Sequence, residues 1–322
     1  MPSVRACGER EMNPAPSIII FTTLAGAAQG LAVVLALSQL LDVGLAPAFV
    51  SRSLWVAVVL SIASLTASFF HLGRPMRAWR AAMMWRTSWM SREVIVLPLF
   101  ILLVGTWACM LTFSTQPGEV TALLPLAVIA VSAALWYCTA MIYACIRFIQ
   151  EWAHPLTIVN YTVIGLASGL VLAGALGAAF GQRQFVAHLG PWAFAITALA
   201  WLTRALALRR NAKLKPKSTL QSATGIQSPG IVQKSMGMTG GAFNTREFFH
   251  HTTAVVFRRM KITFQMFAFA MPLALVGFAV ISGWSAAWLL AVPIQIVGVL
   301  AERWFFFAQA RHPQNLYYQV VS

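Results

Sequence analysis

Eight continuous apolar runs, each about long enough to cross a bilayer core, dominate this sequence. They fall near residues 17–41, 54–71, 93–115, 121–145, 158–180, 189–208, 263–281 and 284–307. Runs of about 20 apolar residues take about 160 residues, half of the 322. Barrel strands would show shorter, alternating segments, so these spans read as helices. The rest of the composition agrees: 59% of the residues are hydrophobic and 10% charged, against roughly 25% charged in a soluble domain. A soluble enzyme and a disordered chain are both excluded. The expected fold is all-α, a polytopic membrane bundle of eight transmembrane helices forming one integral domain.

Charge assigns the sides. The chain holds 23 Lys and Arg against 8 Asp and Glu. With eight spans, the termini and even-numbered connections collect 21 of those basic residues. Arg52 and Arg183 alone fall on the other side. Basic residues gather on the cytoplasmic side, so both termini are expected there, in a bacterial inner membrane. The same rule explains the positive charge without a nucleic-acid partner. The N-terminal residues lack a signal-peptide core, and the first run reads as a retained span.

Residues 209–262 form the one substantial connection, a basic cytoplasmic loop rich in Ser, Gly and Pro in its first half. It reads either as a loop against lipid headgroups or as a docking surface, with Arg246 and Phe248 as docking candidates. Pro47, Pro117 and Pro155 are placed in connections, where a missing N–H does little harm. Gly165, Gly169 and Gly177 would let the fifth span pack closely against a neighbour.

The stretch FFHLGRPMRAWRAAMMWRTSWMSREVIVLP, residues 69–98, carries the chemistry. His71 ends the second span, and Gly73 and Pro75 break the backbone after it. A short interfacial helix over about Pro75–Met84 would put Met76, Trp79 and Met83 on one face, with Arg77 and Arg80 beside it. Arg92 and Glu93 then open the third span. Ionisable groups at such depth often serve a function. His71 and Glu93 lie near one membrane boundary on consecutive spans and could share a pocket. An imidazole and a carboxylate beside apolar surface suit proton-coupled chemistry on a lipophilic ligand, of which a quinone is the first candidate. The plainer reading has His71 capping its helix and Glu93 paired with Arg74 or Arg92.

HLGRP, an Arg- and Trp-rich stretch and then WRTSWMSRE together resemble the DmsC family, the membrane anchors of dimethyl-sulfoxide-reductase-type molybdoenzymes. The match concentrates in residues 71–93, while the eight-span plan covers the whole chain. The resemblance implies an integral subunit with no metal of its own. It would anchor an iron–sulfur electron-transfer subunit, which serves a molybdopterin catalytic subunit, and exchange electrons with ubiquinone or menaquinone. The family's quinone-site histidine and glutamate correspond to His71 and Glu93. Arg74, Trp79 and Trp89 become pocket candidates beside them, and Arg77, Arg80 and Arg86 docking candidates. SPGIVQKSMGMTGGAFNTREFF in the large loop and ERWFFFAQARHPQNLYYQ at the C-terminus resemble a subset of these anchors from cytoplasmic, quinone-linked sulfite-oxidising complexes. That subset implies electron flow from sulfite to quinone, with the partners on the cytoplasmic face. A quinol-oxidising anchor of a sulfoxide reductase is the same architecture run in reverse.

The remaining motifs are weaker. Six histidines invite haem b, but none pairs with another inside facing spans, so haem is not expected. Four cysteines form no CxxC, and no metal site is expected. Trp284, Trp288 and Trp304 bracket the last span as an interfacial belt. Glu302 and Arg303 read as an interfacial ion pair, with a supporting role at the quinone pocket as the alternative. A secondary transporter would show internal repeats or broken helices carrying midplane charges, and no repeat is visible. A purely structural anchor, with quinone handled elsewhere, stays open.

Overall fold

The computed structural model describes residues 15–70, 75–113, 119–231, 254–311 and 313. Among them every regular element is helical, and eight helices are long and apolar enough to cross a membrane. In chain order, α1 is Pro16–Leu40, α2 Pro47–Phe69, α3 Trp89–Phe113 and α4 Glu119–Ala144. Next come α5, Pro155–Ala179, and α6, Arg183–Ala212. The rod α7 has three parts: Ala254–Gln265, a π-helical turn Met266–Ala270, and Met271–Ser282. The last helix, α8, is Ala286–Ala308. A tight 3-10 helix, Pro75–Met84, precedes α3, and one helical turn, Leu220–Thr224, follows α6.

Several expectations need correction. Pro47 and Pro155 are not in connections but are the first residues of α2 and α5. The first turn of a helix has no partner for its N–H groups, and the fixed φ of proline suits it. Helix α2 therefore begins well before residue 54, and Arg52 lies inside it, its guanidinium 5.4 Å from the centre of the Phe180 ring. Arg204, counted above with the loop charges, is inside α6 and buried. In the 3-10 helix, residues three apart stack, so Met83 lines up with Arg77 and Arg80 and not with Trp79.

α1 sits at the centre, packed against α2, α4, α5 and α8. Its contact with α5 is backbone on backbone: a Cβ on Gly169 would collide with Gly30 and Leu31, and one on Gly30 with Gly165 and Gly169. Small residues at such crossings let van der Waals packing drive helix association. Gly169→Ala should therefore lose about 1–3 kcal/mol through overpacking, measured by thermal unfolding of the detergent-solubilised protein.

The π turn in α7 has a local cause. Pro272 offers no N–H to the carbonyl of Ala268 four residues back. Gln295 of α8, buried, donates its side-chain amide to that carbonyl at 3.5 Å. α8 comes this close because Gly298 has no side chain; a Cβ there would strike the backbone of Phe267 and Ala268.

One end of the bundle gathers the polar residues. There the start of α3 meets the last turns of α4, which pack on the start of α5 and the ends of α6 and α8. Trp152, in the α4–α5 connection, donates its indole N–H to the carbonyl of Phe306 in α8 at 3.0 Å. Arg210, in the last turn of α6, reaches the carbonyl of Gln150 at 3.0 Å.

Candidate functional site

Glu93 lies in the second turn of α3 and is buried. Its carboxylate accepts a hydrogen bond from the Thr139 hydroxyl of α4. The plainer pairing of Glu93 with Arg92 does not form. Arg92 donates instead to the carbonyls of Trp85 and Arg86, at 2.9 and 2.8 Å, and lies 4.0 Å from the centre of the Trp89 ring. These contacts pin the entry of α3 and leave Glu93 facing inward, where an ionisable group tends to be functional. Trp89 meets Tyr137 of α4 edge to face, with ring centres 5.3 Å apart. On the outer side of α3, Val94, Ile95, Leu99 and Leu102 are exposed, an apolar face suited to lipid.

The other candidates spread over the same end. Trp79 is 64% exposed on the 3-10 helix, with the Arg80 guanidinium 5.6 Å from the centre of its ring. Arg77 and Arg86 are exposed as well, Arg86 beside Trp85. His71, Arg74, Arg246 and Phe248 lie outside the described residues. An open groove of about 440 Å³ runs between the start of α1 and the end of α2. Its lining is Ser17, Ile20, Ala63, Thr66, Ala67 and Phe70, the last of which is the neighbour of His71 in sequence.

A second polar centre lies around the expected Glu302–Arg303 pair. The pair forms, but inside the bundle and with Arg204 of α6 added, all three being 1–2% exposed. Arg204 Nε lies 2.7 Å from one Glu302 oxygen and Arg303 Nη1 3.3 Å from the other. The Arg303 guanidinium stacks 3.9 Å from the Tyr161 ring centre, and the Arg204 guanidinium is 5.5 Å from that of Phe264. Desolvating charge is expensive, and aromatic faces together with the mutual pairing offset part of that cost. Tyr161 in turn stacks on Tyr143 of α4, with centres 5.7 Å apart, and Tyr143 is one helical turn beyond Thr139. The polar groups thus form a line from Glu93 across α4 and α5 to the triad.

Sequence reasoning missed Thr139, Tyr143, Tyr161 and Arg204. The run ALAWLTRALAL held a usable signal for the last: an arginine inside an apolar helix belongs with intramembrane ionisable groups, not with loop charges. The three hydroxyl residues had no signal, because helix neighbours alone select them.

A polar cavity of about 10 Å³, near the lower limit for one water, opens beside the triad. Its outer rim carries Glu151, His154 and Arg210. His154 caps α5 by accepting the N–H of Leu156 at 3.1 Å. Partial burial, and then the Arg210 charge, hold its imidazole below the usual histidine value. That keeps it neutral, as its acceptor role requires. Among the described residues no group of three or more His, Cys, Asp or Glu side chains could hold a metal ion.

Comparison with known proteins adds to this geometry. The family model described as the DMSO reductase anchor subunit (DmsC) matches residues 12–229, which include the 71–93 motif, Thr139, Tyr161 and Arg204. A sulfite dehydrogenase subunit of Allochromatium vinosum is 47% identical over 326 residues, across 97% of this chain and 100% of that protein. The second match extends the likeness through α7 and α8.

Proposed function

Because this chain belongs to the DmsC family of DMSO reductase anchor subunits, we propose that it is the quinone-binding anchor of a cytoplasmic sulfite-oxidising complex in a bacterial inner membrane. Family membership and eight apolar helices make it a multi-pass membrane anchor subunit of an oxidoreductase. The finer reading is our own. In it, a molybdopterin subunit oxidises sulfite, and an iron–sulfur subunit docks on the arginine-rich 74–92 segment and on the connection between α6 and α7. That connection is shorter than the expected 209–262 loop, because α6 runs to Ala212 and α7 starts at Ala254. The electrons then pass to ubiquinone or menaquinone at the α3 end of the bundle, with no metal held by this chain.

The observation that carries the quinone assignment is the inward-facing Glu93, tethered by Thr139 at a membrane helix start inside the family motif. The donor set fits a quinone: one carboxylate to exchange protons with a carbonyl oxygen, the Trp89 and Tyr137 rings as a wall, and apolar α3 residues beside the tail. The groove beside Phe70, lined by α1 and α2 and not by Glu93, has the volume of a small-molecule site, about 300–1,000 Å³. A bound quinone would supply two-electron, two-proton chemistry at Glu93. Thr139 fixes one Glu93 oxygen, and the other would be the one to exchange a proton with the ligand. The Arg92 clamp holds α3 so that this oxygen keeps its direction. His71, which follows Phe70, is assigned the second proton-exchanging group.

The family name favours quinol-dependent sulfoxide reduction, the same chain with electron flow reversed. We prefer sulfite because the 47% identity spans nearly the whole chain. Deleting this chain tests the reading. Sulfite-driven reduction of quinone in membranes should vanish, while sulfite oxidation with a soluble artificial acceptor persists in the cytosolic fraction. Quinone reduction that survives the deletion would assign quinone chemistry to another subunit. Absence of sulfite activity in the intact complex would move the assignment to sulfoxide reduction.

A further inference from the structure

Protons, like electrons, need a way to the quinone site, and the outer side of α3 is apolar. The triad cavity has features that a merely structural ion cluster does not need. Around it, Arg204 Nη2, Arg303 Nε, Asn160 Oδ1 and the Tyr161 hydroxyl are buried without a hydrogen-bond partner among the described residues. Four such atoms on residues that line one small cavity are unusual, since buried polar groups are almost always satisfied by protein or ordered water. The cavity joins them to Glu151 and His154 at the rim. On its inner side, Tyr161 stacks on Tyr143. Tyr143 packs among Trp152, Tyr161, Phe306 and Phe307, one helical turn beyond Thr139, the hydrogen-bond donor to Glu93.

We propose that this line is the proton entry to Glu93, running from the rim at His154 through cavity water beside Glu302, then Tyr161, Tyr143 and Thr139. The route rests on the quinone reading of Glu93. Two electrons from the iron–sulfur partner and two protons convert quinone to quinol. Each proton that Glu93 gives up is replaced by one entering at the rim, each hydroxyl passing one on as it receives another. The two arginines pair with Glu302 and orient the water, and they carry no proton themselves. The rim opens at the end of the bundle where α3 starts, so the protons come from the side on which Arg77, Arg80 and Arg86 lie.

The test uses the purified whole complex with Tyr161→Phe, which keeps the ring and removes the hydroxyl, and with Glu302→Gln. The first readout needs no turnover. After transfer to D2O, the infrared carboxyl band that disappears in Glu93→Gln should exchange about tenfold or more slowly in both variants. Quinone reduction should slow by a similar factor, recover on addition of small weak acids such as azide or formate, and leave the artificial-acceptor rate unchanged. Wild-type exchange in Tyr161→Phe overturns the route, even where Glu93→Gln stays inactive and the quinone reading stands. Full quinone turnover in Glu93→Gln overturns the quinone reading itself. If Glu302→Gln fails to assemble, Tyr161→Phe decides alone.

Discussion

Glu93→Gln should lower quinone-linked turnover of the assembled complex by about 10²–10⁴-fold, the usual contribution of a positioned acid–base group. The substitution is close to isosteric, and the amide oxygen can still accept from Thr139. Helix α3 should therefore keep its place, and subunit stoichiometry should not change. What disappears is the exchangeable proton. Steady-state assays with quinone and with a soluble acceptor separate the two effects, because only the first passes through Glu93. His71→Ala belongs in the same series, as the partner assigned from the motif. Wild-type quinone turnover in both variants would leave the chain an anchor alone.

Glu302→Leu is the second large effect, and it acts on stability. The change leaves the Arg204 and Arg303 guanidiniums, each about 2% exposed, without their counter-charge. Removing one partner of a buried ion pair typically destabilises by about 3–5 kcal/mol, because the remaining charge stays desolvated. Stacking on Tyr161 and Phe264 offsets only part of that. Thermal or denaturant unfolding of the solubilised complex should show the loss. The double variant Glu302→Leu with Arg204→Leu should lose less than the two single losses added, since the residues act as one unit. A single-variant loss under about 1 kcal/mol would mean the triad is solvated like a surface pair.

The eight spans were legible in the sequence because a bilayer sets one simple requirement, about 20 apolar residues with every backbone group bonded internally. The family motif in residues 71–93 was equally legible, since it is contiguous, and so was the close packing on Gly165 and Gly169. Helix starts were read less well. Pro47 and Pro155 look like breaks in a hydropathy trace and act as first residues in the folded helices. Glu93 could be nominated from its place at a span start, but its partner could not. Thr139 lies 46 residues away, and nothing local distinguishes it from other span hydroxyls.

Chain composition and span spacing thus determined that this protein is a helical membrane bundle, and a contiguous motif pointed to Glu93. Tertiary structure alone decided what surrounds that residue. It joined Arg204 of α6 to Glu302 and Arg303 of α8, and placed Tyr143 and Tyr161 between them and Glu93. The physical reason is that hydrophobicity is summed along the chain, whereas pairing of buried charges depends on which helix faces meet. That meeting is set by glycine contacts and the π turn in α7, far in sequence from the groups they bring together.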